Sequence, residues 1–414
     1  MKIAVIGTKG LPAKQGGIER YCEELYVRIA AQGHSVDLFA RCSYVEKSWF
    51  YTYNYKGINI ICLPSLPFKG LDATVSSALG AIAALFKPYD LVHFHALGPA
   101  LFSWIPGLFS SAKVLVTCQG LDWQRAKWGK LASQTIYWGE RMAVKFAHGI
   151  VVVSEDLRSY FWQNYNIDTV YIPNGPAEYA SSDPQFDYVK SLGLEPGRYF
   201  LFLGRLVPEK RPELLIEAFK ATEDSGWQLV LAGGSSDTAE YTSHLANLAK
   251  TDSRVHFAGE VQGSRLAEIV RGAGFFVLPS DLEGLPLVML EAMREGIPVI
   301  ASNIAPHQQL IGKDRGTLFQ AGDGQSLREA LQAAIDRPLE VAKMATRAQE
   351  YVINNYNWQK ITDSNLHLYQ RLLKLTHQPS LTNTKQLRLN EFSEQEEESQ
   401  RNSLSNRDQV VQKN

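Results

Sequence analysis

The sequence predicts an α/β protein with two parallel sheets, each covered by helices on both faces. Three observations carry this expectation. Short apolar strand patterns alternate with helical ones along most of the chain. The alternation breaks near Pro173-Asn174-Gly175 and then restarts. A length of 414 residues is also more than one compact core accommodates.

The elements follow in order. IAVIG (3–7) reads as a short buried strand and is followed by a loop rich in Gly and Lys. A helix is expected from Gly17 to Gln32, because Ile18, Tyr21, Cys22, Leu25, Tyr26, Ile29 and Ala30 fall on one face. Gly33 stops it, and SVDLFA is the next strand. INIICL, DLVHFH, KVLVTC and GIVVVS continue the series, with helical segments at 71–86, 98–110, 130–146 and 155–165. After the Pro-Asn-Gly turn and a polar stretch to about Gly197 come YFLFLG, QLVLAG, RVHFAG, FFVLP, PVIAS and TLF. Continuous apolar strands of this kind belong to parallel sheets buried on both faces. Two such runs predict two Rossmann-like domains, 1–174 and 175–357, with the last helix at about 358–375 returning to the first. In open parallel sheets ligands sit at the carboxyl ends of the strands, so two sheets can face each other across a cleft.

Composition excludes several classes. Hydrophobic residues at 45% and charged residues at 21% are those of a soluble globular protein, and a net charge of -1 lacks the basic excess of a general nucleic-acid binder. Cys22, Cys42, Cys62 and Cys118 form no CxxC and no zinc spacing. Met1-Lys2 runs directly into a strand and leaves no room for an export signal, so reduced thiols in a cytoplasmic protein are expected. Leu91 to Ala112 holds no Asp, Glu, Lys or Arg, yet it contains Pro99 and Pro106 and divides into a strand and a helix rather than a membrane span.

The residues that could carry chemistry cluster at strand ends of the second half. In FLGRLVPEKRPELL, Arg205 directly follows a strand, Lys210 follows it, and Pro212 opens the next helix. Two cations near a helix N-terminus form an anion site, because the free N–H groups add to the side-chain charges. The same cations also suit a solvated loop in which Arg205, Lys210 and Arg211 pair with Glu209 or Glu213. In DLEGLPLVMLEAM, Glu283 precedes Gly284-Leu285-Pro286, and Glu291 lies among Leu287, Val288, Met289 and Leu290 in a helix opened by the proline. A carboxylate in so apolar a setting is costly unless something hydrogen-bonds it. Glu283 as a helix cap and Glu291 facing solvent are the structural alternatives. Two cations with two carboxylates suit a ligand bearing both phosphates and hydroxyls.

With GR(x4)K at 204–210, E(x7)E at 283–291, PNG at 173–175 and GGIERY at 16–21, residues 1 to about 375 resemble the group 1 (family 4) retaining glycosyltransferases of the GT-B fold. The resemblance implies two Rossmann-like domains whose parallel sheets face a central cleft. It implies that Gly204, Arg205 and Lys210 hold the diphosphate of a nucleotide-sugar. Glu283 with Gly284, Leu285 and Pro286 would meet the donor sugar, and Glu291 the ribose hydroxyls. Arg205, Lys210 and Glu283 would be the catalytic groups, since fixed cations stabilise the charge that grows on the departing phosphate. The family commonly needs no divalent metal or other cofactor, and no Asp-x-Asp triplet occurs here. Retention is commonly explained by front-face attack, so no nucleophile is sought.

The first domain is expected to hold the acceptor. Gly16-Gly17 before the helix, with Glu19 in its first turn, suits close approach of a ligand, and equally a plain turn. The pattern departs at Thr117-Cys118-Gln119-Gly120, where many relatives carry a histidine. Gln119 offers hydrogen bonds but neither a proton nor a charge. His93 and His95 end the preceding strand and stand either near the donor or in the core. GLDWQRAKWGK (120–130) alternates Trp123 and Trp128 with Arg125, Lys127 and Lys130. Its tryptophans either pack inward or serve a sugar-stacking or anionic-acceptor site at a membrane surface.

The expected function is therefore transfer of a sugar from a nucleotide-sugar to a hydroxyl of a glycan or polyprenyl-diphosphate-linked acceptor, as in cell-surface polysaccharide synthesis, with the enzyme peripheral on the inner face of the cytoplasmic membrane. The alternative is a non-catalytic nucleotide-sugar-binding partner subunit, motivated by Gln119. No GxGxxG follows the first strand and no GxxxxGK[ST] occurs, which argues against a nicotinamide dehydrogenase and a P-loop NTPase. Residues 378–414, rich in Ser, Asn, Gln and Glu, lack the apolar residues for a core and are expected to be disordered. Truncation after Leu375 should leave turnover and solubility unchanged, as activity and sedimentation of the shortened chain would show.

Overall fold

The computed structural model describes residues 1–13, 16–65, 71–124, 129–222, 226–234 and 239–374. Arg125, Lys127, Trp128 and the tail 378–414 lie outside the described residues. The first domain holds β1 (Lys2–Ile6), β2 (Ser35–Arg41), β3 (Thr52–Tyr55), β4 (Ile58–Leu63), β5 (Leu91–His95), β6 (Lys113–Cys118), β7 (Gly149–Val152) and β8 (Val170–Tyr171). They form one sheet in the order β3-β4-β2-β1-β5-β6-β7-β8, with every pairing parallel except β3 with β4. The second domain holds β9 (Tyr199–Leu203), β10 (Gln228–Ala232), β11 (Val255–Gly259), β12 (Phe275–Leu278), β13 (Val299–Ser302) and β14 (Thr317–Phe319). Its wholly parallel order is β11-β10-β9-β12-β13-β14.

Two strands escape the sequence pattern. β3 is the polar run Thr-Tyr-Asn-Tyr, half solvated, and it pairs with β4 through a turn in which Lys56 and Gly57 both have positive φ. β8 is a two-residue edge. The charge-free stretch 91–112 divides as expected, into β5, a 3₁₀ turn at Pro99–Phe102 and a short helix at Trp104–Phe109. No helix among the described residues is long and apolar enough to cross a membrane.

The two faces of the first sheet are covered differently. The Gly17–Ala31 helix packs with the C-terminal helix Trp358–Lys374 over one face, where Ile3, Val5, Leu38, Leu91 and Leu115 are buried. The helices at Leu71–Ala83, Trp104–Phe109, Lys130–Phe146 and Glu155–Tyr165 follow strands that run outward from β4 to β8. Their buried residues, such as Ala81, Ile105, Ile136 and Leu157, join the core on the other face. Right-handed crossovers dictate this division, because the chain reverses its direction of travel across the sheet after β4.

A polar network beneath the first sheet ties the returning helix down. The Tyr26 hydroxyl lies 2.8 Å from His93 Nδ1 and 2.7 Å from His95 Nε2, and the Tyr369 hydroxyl lies 3.0 Å from His93 Nδ1. His93 Nε2 meets Thr117 Oγ1 at 2.7 Å. Burial holds both imidazoles neutral, His93 well below its ordinary pKa and His95 down to about 3. His95 is thus a core residue with no exposed surface, and the expectation that it faces the donor phosphate is corrected.

Gly175 owes its identity to the same helix. A Cβ there would stand 2.8 Å from Trp358 Cε2, and the Trp358 indole N–H donates to Pro176 O at 2.8 Å. Gly175→Ala should therefore cost about 1–3 kcal/mol of stability through overpacking. Urea unfolding of the variant measures this; an unchanged midpoint would show that the linker yields at no cost.

Candidate functional site

The candidate site forms where the carboxyl ends of the two sheets meet. On the second domain, β9 ends at Gly204, whose φ of 156 lies in the region glycine tolerates best. A Cβ on Gly204 would lie 3.3 Å from Lys210 Cδ, so the missing side chain leaves room for the lysine to fold back. Pro208–Lys210 forms a 3₁₀ turn, and the Pro212–Lys220 helix follows. Lys210 Nζ then reaches Glu283 Oε1 at 2.7 Å, and Ser280 Oγ donates to the same oxygen at 2.8 Å. Arg205 lies 4.0 Å from Glu209, and Arg211 pairs with Glu213 at 3.2 Å and with Asp281 at 2.9 Å. Lys210 and Arg211 thus both reach the segment that follows β12, while Arg205 lies near Glu209 of its own loop.

The two glutamates sit in opposite electrostatic settings. Burial pushes the Glu283 carboxyl up, but the Lys210 ammonium, with smaller help from His307 and Ser280, outweighs it and holds the group below its ordinary range. Glu283 does not cap the following helix, which has no side-chain cap; Pro286 occupies that position and Leu287–Arg294 is helical. Glu291 lies in that helix with 3% of its surface exposed. It does not face solvent. Tyr179 donates to Oε2 at 2.7 Å, while Ala177 N and Arg20 Nη1 each lie 3.4 Å from Oε1. Burial wins here, and the Glu291 pKa is raised despite Arg20, Tyr179 and the Ala177 amide.

The seam between the domains is built from the same segments. A Cβ on Gly284 would stand 2.4 Å from the Gln119 carbonyl oxygen, so this glycine permits two backbones to touch. Gln119 Oε1 accepts from Asn174 Nδ2 at 2.6 Å, while Gln119 Nε2 and Asn174 Oδ1 are buried without a hydrogen-bond partner among the described residues. Gly17 faces Leu287, with 3.4 Å left for a Cβ. Gly16 has a φ of 101, and Glu19 is buried beside it, accepting from Lys9 N at 3.0 Å. Glu19 therefore braces the loop after β1. Leu285 is buried within the second-domain core.

Sequence reasoning missed Arg20, Tyr179, Asn174 and His307. Arg20 and Asn174 stood inside quoted motifs, but nothing in their spacing pointed across the cleft. His307 is buried with Nδ1 3.0 Å from Ser302 Oγ, and Nε2 lacks a partner among the described residues. Burial lowers its pKa to about 4 against the pull of Glu283. Trp123 takes the inward alternative: its indole donates to the buried Glu140 at 2.9 Å. Open depressions of about 300 and 360 Å³ occur elsewhere, bordered by Trp227 and by Phe109, and neither touches Lys210 or Glu283.

Both halves of the chain are similar to known proteins. A family described as glycosyl transferases group 1 matches residues 185–353, and one described as glycosyltransferase family 4 matches 15–176. The chain is 23% identical over 406 residues to D-inositol 3-phosphate glycosyltransferase of Rhodococcus erythropolis, covering 89% of this chain and 91% of that protein. Sucrose-phosphate synthase from Thermosynechococcus elongatus superposes with a TM-score of 0.77 at 25% identity, covering 90% of this chain and 99% of that one. Anabaena HepE in complex with UDP-glucose gives a TM-score of 0.74 at 18% identity, covering 90% and 100%, a likeness of fold. The fold is GT-B.

The Arg20–Glu291 contact has a measurable consequence. A carboxyl whose folded pKa is raised costs nothing below the ordinary carboxylate range and costs more as pH climbs through its folded pKa. The groups that act on it are Arg20, the Tyr179 phenol and the Ala177 amide. Arg20→Ala removes the only opposing charge among these and raises the pKa further. Arg20 is 45% exposed, so the pair is worth no more than about 1 kcal/mol. The stability deficit of the variant should widen by about that much from about pH 5 to about pH 8. Unfolding of both proteins across this range measures it, and a deficit constant with pH would remove Arg20 from the account.

Proposed function

The chain belongs to the group 1 glycosyltransferases of family 4, and on that premise we propose that it moves a sugar from a nucleotide-sugar to a hydroxyl of a glycan or polyprenyl-diphosphate-linked acceptor, with retention of configuration and without a divalent metal. One observation carries the reading: Lys210, with Arg205 nearby at a strand end, is anchored by Glu283 at 2.7 Å on the side of the second domain that meets the first. Anabaena HepE, of the same fold, is described with UDP-glucose, and the starch synthase IV catalytic domain of Arabidopsis thaliana with ADP.

Donor binding follows from the charges. A diphosphate placed between Arg205 and Lys210 meets two cations fixed by the fold. As the anomeric C–O bond breaks, charge accumulates on the departing phosphate, and cations already in place stabilise it without reorganising. Glu283 keeps its negative charge at neutral pH and holds the ammonium in position, beside a sugar ring that gains positive character. Glu291 has lone pairs beyond those used by Tyr179 and Ala177, and a ribose diol can donate to them. The charge work falls to side chains, so turnover should survive EDTA. The acceptor enters from the first domain, past Gly16-Gly17 and Gln119.

The second reading, a non-catalytic nucleotide-sugar binder, is favoured by Gln119, an uncharged residue already engaged with Asn174. Slow hydrolysis of a bound donor separates the two, since a pure binder releases no free sugar. A thermal-shift screen with UDP-, GDP- and dTDP-sugars identifies the donor, because a bound ligand raises the unfolding temperature.

Three substitutions test the roles. Lys210→Ala should lower kcat by at least about tenfold, since losing one donor to developing charge is worth ~2.7–4 kcal/mol. Glu291→Gln, changed far from the breaking bond, should raise the donor KM and leave kcat nearly alone. Glu283→Gln should lower kcat at saturating donor. Steady-state donor kinetics at fixed acceptor decide; the reversed pattern would exchange the two glutamates, and wild-type kinetics in all three would sink the assignment.

A further inference from the structure

One face of the first domain is apolar where water should meet it. Phe86 is 80% exposed at the end of the 71–86 helical segment, and Leu108 and Phe109 are 59% and 67% exposed on the short Trp104–Phe109 helix. Leu131 (87%) and Trp138 (47%) stand out from the Lys130–Phe146 helix. These segments cover the same side of the sheet and pack on one another, so their exposed apolar side chains lie on one flank of the domain. Between the first two lies an open groove of about 360 Å³ lined by Leu85, Phe86, Lys87 and Phe109. Contiguous patches of this kind on a monomer mark an interaction surface.

The exposed charges on the longest of these helices have one sign. The Lys130–Phe146 helix turns Lys130, Arg141 and Lys145 to solvent. Its one carboxylate, Glu140, is buried and engaged by Trp123, Tyr160 and Tyr165. The Arg141 guanidinium lies 5.4 Å from the Trp138 ring centre. The Trp104–Phe109 helix has no charged residue at all. Exposed aromatic and aliphatic side chains bordered by cations complement the boundary between acyl chains and anionic headgroups.

We propose that this face, carried by Phe86, Leu108, Phe109, Leu131 and Trp138 with Lys130, Arg141 and Lys145, seats the protein on an anionic lipid bilayer. The proposal deepens the reading of the acceptor as a lipid-linked sugar. It gives the docking surface to three helical segments rather than to the 120–130 loop, whose Trp123 is turned inward. Leu131 lies one residue into the helix that follows the Gln119 loop, so the seated face runs up to the edge of the cleft.

The full chain is mixed with vesicles of phosphatidylcholine alone or with phosphatidylglycerol added, and the sedimenting fraction is measured at low and high salt. Binding is expected to the phosphatidylglycerol vesicles and to weaken as salt rises. L108S/F109S should reduce the partition coefficient by at least about tenfold, because both side chains lose their apolar burial. R141E/K145E, independent of any packing change, should abolish the preference for phosphatidylglycerol. Hydrolysis of soluble nucleotide-sugar should be unchanged in both variants, which separates failure of docking from failure of the transferase reading. Wild-type protein left in the supernatant with either vesicle, or variants that sediment like wild type, would overturn the proposal. A dimer in solution that L108S/F109S converts to monomer, with no vesicle binding, would assign the face to a second copy instead.

Discussion

Burial of the Glu291 carboxylate is the constraint around which the rest of the cleft is arranged. A carboxylate among apolar residues must receive donors, and the fold brings them to this second-domain helix from two places: Arg20 from the first domain, and Ala177 and Tyr179 from the linker. Satisfying one side chain therefore fixes the course of the linker after Asn174-Gly175. The linker in turn places Trp358, whose indole bonds to Pro176 O, and Trp358 begins the helix that covers the first sheet. Domain contact and proposed ligand surface are one construction.

The second carboxylate shows why a single rule for buried glutamates fails. Glu283 and Glu291 are both enclosed, and desolvation acts on both in the same direction. What differs is the distance and nature of the counter-charge. A lysine at 2.7 Å overcomes burial at Glu283, whereas an arginine at 3.4 Å, itself half in water, does not at Glu291. One site is poised to keep a fixed charge beside a cation. The other is poised to accept hydrogen bonds from neutral donors, and ribose hydroxyls are donors of that kind.

Much of this was legible in the sequence, because strand runs and strand-end motifs are local signals. The parallel sheets followed from continuous apolar runs, and Arg205, Lys210, Glu283 and Glu291 followed from their places after β9 and β12. What was not legible depends on contacts between segments distant in the chain. Nothing near Gly284 says that its α-carbon faces the Gln119 carbonyl, and nothing near His95 says that Tyr26 from another element will cover it. β3 was missed because its polar residues carry no burial signal; the Lys56-Gly57 turn, not hydrophobicity, makes that hairpin. The choice between the two readings of Trp123 stayed open because its partner, Glu140, is a residue that sequence alone places on a surface.

The departure at position 119 then has a physical meaning. Gln119 touches both sides of the seam at once, its backbone carbonyl against Gly284 and its side chain against Asn174. An amide suits that place, since it can accept from Asn174 while staying neutral in a site largely closed to water. A histidine that carried a proton there would have to be charged inside the same enclosure, and burial has already driven His93, His95 and His307 toward neutrality in this protein. Positive charge for a phosphate must then come from side chains that keep it under all conditions. Arginine and lysine do so, and in the proposed site Arg205 and Lys210, both of the second domain, would supply it.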